Sequence, residues 1–177
     1  TYDILFWADR DADGIGDIYD AEYLNNVKVV GLDAQGNGNY VSGDDRDAFC
    51  EVLRNQTFAA GTALNVTLTR PLARVVVTNA AELTSEMRVS LTATGIPTGY
   101  NVLTGESLTE SAAGDLTITY PNAVSSQSEV FTDYFFPPVT GSTISGTLTV
   151  GSQTQQLTLT SDDIVANYTT NITLNLN

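Results

Sequence analysis

The sequence predicts an all-β protein, an antiparallel β-sandwich in which strands with one apolar and one polar face close over each other. Three observations predict it. Apolar and polar residues alternate with a period of two through most of the chain beyond residue 63. Thr, Ser, Asn and Gly are abundant while only 16% of the 177 residues are charged, a composition of strands and turns. The hydrophobic content, 42%, suffices to close a core. Strands of this kind bury their apolar side only against a second sheet.

Residues 2–8 (YDILFWA) set Tyr2, Ile4 and Phe6 on one face and Leu5 and Trp7 on the other, the pattern of a strand covered on both sides and central in a sheet. After an acidic loop, residues 27–32 (VKVVGL) read as a strand and residues 33–39 as a polar, Gly-rich turn facing solvent. Residues 45–53 (DRDAFCEVL) place Ala48, Phe49, Val52 and Leu53 at i, i+1, i+4 and i+5, with Asp44 or Asp45 as N-cap, which predicts one short helix. Leu64, Val66 and Leu68 then alternate with Asn65, Thr67 and Thr69, and Ala73, Val75 and Val77 with Arg74, Val76 and Thr78, two strands separated at Pro71.

Val89, Leu91 and Ala93 repeat the period, as do Leu116, Ile118 and Tyr120. Residues 129–136 (EVFTDYFF) form an aromatic strand stopped by Pro137 and Pro138. Apolar neighbours on both sides place Tyr134, Phe135 and Phe136 in the core instead of on a sugar-stacking platform. Residues 143–150 and 153–160 flank Gly151 and Ser152, a two-residue type II′ hairpin. The last strand, residues 170–176, sets Ile172, Leu174 and Leu176 against Asn171, Thr173 and Asn175. One shift of pattern, near residues 60–64, divides the chain into an N-terminal partial sandwich over residues 1–62 and a second sandwich over residues 63–177.

Charge and composition exclude several functions. Seven basic against 21 acidic residues give a net charge of −14, which repels phosphate backbones, so nucleic acid is no partner. No apolar run reaches the length that spans a bilayer and no signal segment opens the sequence, so the chain reads as soluble and already processed. The absence of histidine removes the usual general base and the commonest zinc ligand. The single cysteine, Cys50, reads as core filling. The carboxylate groups Asp44, Asp45 and Asp47, and Asp162 with Asp163, read as charged surface turns and not as the acid and base of a glycosidase. With no serine elbow either, the chain is expected not to be an enzyme. The N-x-T triplets at Asn55, Asn65, Asn167 and Asn171 arise readily by chance in a Thr-rich protein.

One constellation carries chemistry. Asp9, Asp11, Asp13, Gly14, Asp17 and Asp20 (DRDADGIGDIYD) follow the spacing of a calcium loop, with oxygen ligands at positions 1, 3, 5, 9 and 12, glycine at 6 and the Ile15 carbonyl at 7. Five carboxylates within twelve residues repel one another unless a cation neutralises them. Asp20 is shorter than the usual bidentate Glu, Gly16 stands where an apolar residue is usual, and a strand precedes the loop, so this is no helix-loop-helix hand. The same residues also make an ordinary solvated acidic turn, and both readings stand. Bound calcium would be structural, with millimolar to submillimolar affinity.

Five segments together, YDILFWAD (residues 2–9), RDAF (46–49), LTRPLARVVV (68–77), GYNVLTGE (99–106) and NYTTNITLNL (167–176), resemble the fimbrillin-like surface proteins of Bacteroidales, in the order that family shows. The resemblance implies two transthyretin-like sandwiches, export as a lipoprotein, and work outside the cell in a pilus or as an adhesin. It implies as partners other pilus or surface subunits, joined by strand addition, and a membrane link only through a lipid anchor not present in this chain. The family carries a lipidated Cys and further strands before YDILFWAD, so the first sandwich is expected to be incomplete, by trimming or to receive a neighbour's strand. The alternative reading is a calcium-stabilised carbohydrate-binding surface module.

Overall fold

Alternation becomes thirteen strands and one 3-10 turn in the computed structural model, which describes residues 1–10, 17–30, 43–61, 63–83, 87–108, 116–124 and 129–176. The strands are β1 (Tyr2–Asp9), β2 (Tyr19–Asp20), β3 (Val27–Val29), β4 (Ala48–Gln56), β5 (Ala73–Asn79), β6 (Met87–Thr94) and β7 (Gly99–Asn101). They continue with β8 (Glu106–Leu108), β9 (Leu116–Val124), β10 (Glu129–Phe135), β11 (Thr143–Val150), β12 (Gln153–Thr160) and β13 (Thr169–Leu174). The protein is all-β, as the sequence predicts.

A three-stranded sheet β10-β5-β13 faces a four-stranded sheet β12-β11-β6-β9. Val75 and Val77 of β5, Phe131 and Phe135 of β10, and Leu174 of β13 meet Val89 and Leu91 of β6, Ile118 of β9 and Leu148 of β11 in one buried cluster. Each side chain buried in this way contributes about 1.5–3 kcal/mol. The β11–β12 hairpin closes with Val150 opposite Gln153, and Gly151 at φ 62 supplies the left-handed residue that the expected turn requires. Gly146 of β11 lies over Ala93, whose side chain any Cβ there would meet, and so lets the two strands approach.

The outward side of the four-stranded sheet is a register of hydroxyls. Its middle rank crosses all four strands as Gln156, Thr147, Thr92 and Thr117, and the next crosses them as Thr154, Thr149, Ser90 and Thr119. A third rank holds Thr158, Ser145 and Thr94. None of these side chains is buried.

Another core, the first in chain order, lies at the other side of β10. The sheet β2-β3-β7-β8 and the pair β1-β4 enclose Ile18, Tyr19, Val27, Ala48 and Cys50, with Leu72, Tyr100, Tyr134 and Phe136 arriving from later in the chain. Alternation along β10 gives Phe131 and Phe135 to one core and Tyr134, followed by Phe136, to the other. As expected, Tyr134, Phe135 and Phe136 are core residues, exposed by 5% or less.

Three expectations need correction. The helix over residues 45–53 is replaced by a 3-10 turn at Asp44–Arg46, without a side-chain N-cap bond, followed by strand β4. Ala48, Cys50 and Val52 also fit a period of two, and antiparallel pairing with β1 from Asp9–Ala48 to Tyr2–Gln56 satisfies backbone groups that a helix would leave open on β1. The strand over residues 63–69 reduces to one bridge between Thr69 and Cys50, and Leu64 is exposed. Strand β1 is not central, since among the described residues it pairs with β4 alone. The last strand runs parallel to β5, because the Asn167 N–H bonds the Leu72 carbonyl at 2.9 Å and brings the chain in beside the start of β5. Residues 33–39 lie outside the described residues.

Candidate functional site

Of the six predicted calcium ligands, Asp11, Asp13 and Ile15 lie outside the described residues, with Gly14 and Gly16. Asp9 ends β1, exposed, and its carboxylate accepts the Trp7 indole N–H at 2.9 Å. Asp17 is exposed, and Asp20 on β2 accepts the Glu22 backbone N–H at 3.1 Å, a local turn bond. Among the described residues no three His, Cys, Asp or Glu side chains gather as a metal site.

The turn that precedes β4 is rich in ion pairs. Asp45 meets Arg10 at 2.7 Å, and Asp47 holds Arg70 by two bonds, 2.5 Å from Nε and 2.7 Å from Nη2. The Arg70 guanidinium also lies over the Phe49 ring at 5.1 Å and the Tyr134 ring at 5.5 Å. Tyr134 donates its hydroxyl to Asp44 at 3.3 Å. Asp163 accepts both the N–H and the hydroxyl of Thr160 at 2.8 Å, bonds that hold its carboxyl below the usual range. These carboxylates are engaged as structural partners of turns and arginines.

Sequence reasoning missed the buried polar group at the junction of the cores. Arg46 and Asp133 are 1% and 0% exposed, with Nε 3.7 Å from Oδ1. Arg46 Nε donates to the Tyr134 carbonyl at 3.1 Å, and the Arg46 carbonyl accepts the Tyr19 hydroxyl at 2.6 Å. Asp133 accepts the backbone N–H of Tyr134 at 2.8 Å and of Gly43 at 3.2 Å, and the Tyr120 hydroxyl at 3.2 Å. Burial pushes its carboxyl up to about 6 against the opposing pull of Arg46 and these donors. That value suits a general acid, but a carboxyl sealed from solvent and filled with internal bonds reaches no substrate. The signal was present: an acid midway along an aromatic strand that is buried on both faces has to be inside.

Two adjoining clefts open beside the tight turn between β7 and β8. One, of about 320 Å3, is lined by Pro71, Pro137, Pro138, Val139, Tyr100 and Glu106, and the other, of about 210 Å3, by Cys50, Val52, Arg54, Thr69 and Leu103. Tyr100, stacked on Phe136 at 5.2 Å, lines both. Burial pushes Tyr100 up to about 12 and Cys50 up to about 11, so the thiol stays protonated and unreactive, as its expected core role requires.

No curated protein matches the sequence. A crystal structure of a "putative cell adhesion protein" from Bacteroides ovatus matches with a TM-score of 0.43 and 16% identity, over 85% of this chain and 54% of that one. A second, a "putative cell adhesion protein" from Bacteroides thetaiotaomicron, matches with a TM-score of 0.39 and 22% identity, over 72% of this chain and 53% of that one. The chain thus spans about half the length of each. A family model matches residues 1–176, and on that match the chain belongs to the family of unknown function DUF6562.

Proposed function

We propose that this chain is a non-catalytic cell-surface adhesion module of the fimbrillin-like kind, a pilus subunit or adhesin that joins other surface subunits along β1. The observation that carries this reading is the sheet of β1 and β4. Leu5, Trp7, Cys50 and Val52 pack into the first core, so Ile4, Phe6, Phe49 and Leu53 turn to the opposite side, each half-buried. The second edge of β1 pairs with no described strand. Such an edge offers unmade backbone bonds for affinity, and the apolar face beside it selects alternate side chains of an incoming strand. The module works outside the cell, at the outer membrane or in a fimbrium, with any membrane link made by a lipid anchor elsewhere.

The test is display of the chain on a non-adherent bacterium, with Ile4→Lys and Phe6→Lys as variants. Adherence or polymer formation should fall at least several-fold, since an incoming strand would have to cover a charge that has no partner. Variants that stay folded yet adhere and assemble like the parent would sink the reading.

The second reading, a calcium-stabilised carbohydrate-binding module, is supported by the exposed carboxylates of Asp9, Asp17 and Asp20 at the two ends of the acidic loop. Calorimetry should give millimolar to submillimolar calcium affinity, reduced by Asp9→Asn. An absence of heat at several millimolar calcium removes it.

A further inference from the structure

Among the described residues, the three ranks of Thr, Ser and Gln on the four-stranded sheet hold no ionisable side chain, in a protein whose net charge is −14. Thr is a good strand former, which accounts for threonine but not for the absence of charge. Solvated sheet faces ordinarily carry Lys and Glu, and an edge strand such as β12 is ordinarily blunted by them. Here charge stands at the ends of the face, with Arg88 beyond Ser90 on β6 and Asp163 after β12.

We propose that this face is a docking surface for an extended chain of an uncharged polysaccharide. A hydroxyl both donates and accepts and turns to suit its partner, so the ranks match a ligand that is itself a series of hydroxyls. Within the face the groups are already oriented: Thr92 and Thr117 hydroxyls lie 3.0 Å apart, and the Gln156 amide donates to the Thr147 hydroxyl at 2.8 Å. Ranks repeat about every 6.7 Å along a strand and about 4.8 Å across strands. Sheet twist turns neighbouring strands by about 20–25°, so a flexible chain or thin fibril follows the surface and a rigid crystal face does not.

Docking there strips water from no charge, the costliest part of burying a polar surface. An uncharged polymer is also indifferent to the protein's negative field, whereas an anionic polymer is repelled by it. The ranks hold no aromatic ring to stack on a sugar, so one soluble sugar is held weakly and affinity comes from many contacts along one chain. This inference needs neither the acidic loop nor the β1 edge.

The experiment is retention of the purified chain on amorphous cellulose, insoluble starch and insoluble mannan, with a polygalacturonate gel as the anionic comparison. Wild type should be retained by at least one uncharged polymer and not by polygalacturonate. Thr147→Lys, Thr147→Glu and, at the margin of the face, Thr119→Lys should each lower retention about tenfold, whatever the sign of the charge, while Glu22→Lys leaves it unchanged. Cooperative thermal melts identify the variants that fold. Retention by no uncharged polymer, or equal retention by the folded variants, overturns the proposal. So does wild-type self-association in sedimentation that the same variants abolish, which would make the face an interface between copies. Loss of cell adherence in Phe6→Lys with polymer retention intact separates this surface from the β1 edge.

Discussion

The sandwich core is dominated by aliphatic side chains on strands of six to nine residues, β5, β6 and β9 to β13. The first core sets one long pair, β1 and β4, against strands of only two or three residues, β2, β3, β7 and β8, and fills with rings: Trp7 edge-on to Tyr19 at 5.3 Å, and Tyr100 stacked on Phe136. A fully buried ion pair sits at its border with the sandwich. Long strands specify their register by repeated burial, whereas short ones have too few side chains to do so and depend on specific polar and aromatic contacts. The sandwich is therefore expected to tolerate conservative change, and the first core to depend on a few residues.

The largest effect should come from Phe136→Ala. Phe136 is 0% exposed and touches both Tyr19, at 6.0 Å between centroids, and Tyr100. Its truncation should cost about 3–5 kcal/mol in urea unfolding, and more than Leu148→Ala in the sandwich, a kind of change that costs about 2–5 kcal/mol. Equal costs, or a smaller one for Phe136, would dissolve the contrast between the cores.

Arg46 and Asp133 test the polar half of it. Arg46→Met leaves a buried carboxylate without its guanidinium and should cost about 3 kcal/mol near neutral pH. The loss should shrink in acid as Asp133 takes up a proton, and Arg46→Met with Asp133→Leu should recover much of it. The wild type carries a pH signature of its own. The folded carboxyl near 6 lies above its ordinary 3.8, so between those values the folded form binds more protons than the unfolded form. Stability from this group is full below about 4 and is lost as pH rises through about 6, by about 1–3 kcal/mol. Asp133→Asn should remove that slope, so the difference between the two melting profiles isolates Asp133 from the other carboxylates. A flat difference would place the carboxyl at its ordinary value.

What was legible in the sequence follows the same division. Leu91, Leu148 and Leu174 were assignable because their strands are long enough for alternation to repeat and one face is wet. Strand β4 misled because Ala48, Phe49, Val52 and Leu53 satisfy a helical and an extended spacing at once, and the deciding partner, β1, is 39 residues away in the sequence even at the nearest pair, Asp9 with Ala48. Leu64, Val66 and Leu68 alternate as well as any strand but find only one bridge, since alternation states which face is apolar and not whether a neighbour is present. Arg46 left no trace, because its neighbours Asp45 and Asp47 read as a solvated turn. The hydroxyl face was visible only as scattered threonines until the registers aligned them.

The smallest effect belongs to Arg54 and Asp3, which form the surface counterpart of the buried pair. Their charged atoms also lie 3.7 Å apart, but the side chains are 52% and 40% exposed. Water screens that attraction and the long side chains lose entropy in holding it, so the coupling in a double-mutant cycle should be about 0–1 kcal/mol and should vanish in molar salt. Arg54 also donates to the Leu103 carbonyl, and Asp3 accepts the Asn55 N–H at 2.8 Å, so single substitutions will cost more than the coupling itself. Equal separations with unequal couplings would assign the difference to burial. A coupling at Arg54 and Asp3 as large as that at Arg46 and Asp133 would show that geometry, and not exclusion of water, sets the strength of ion pairs in this fold.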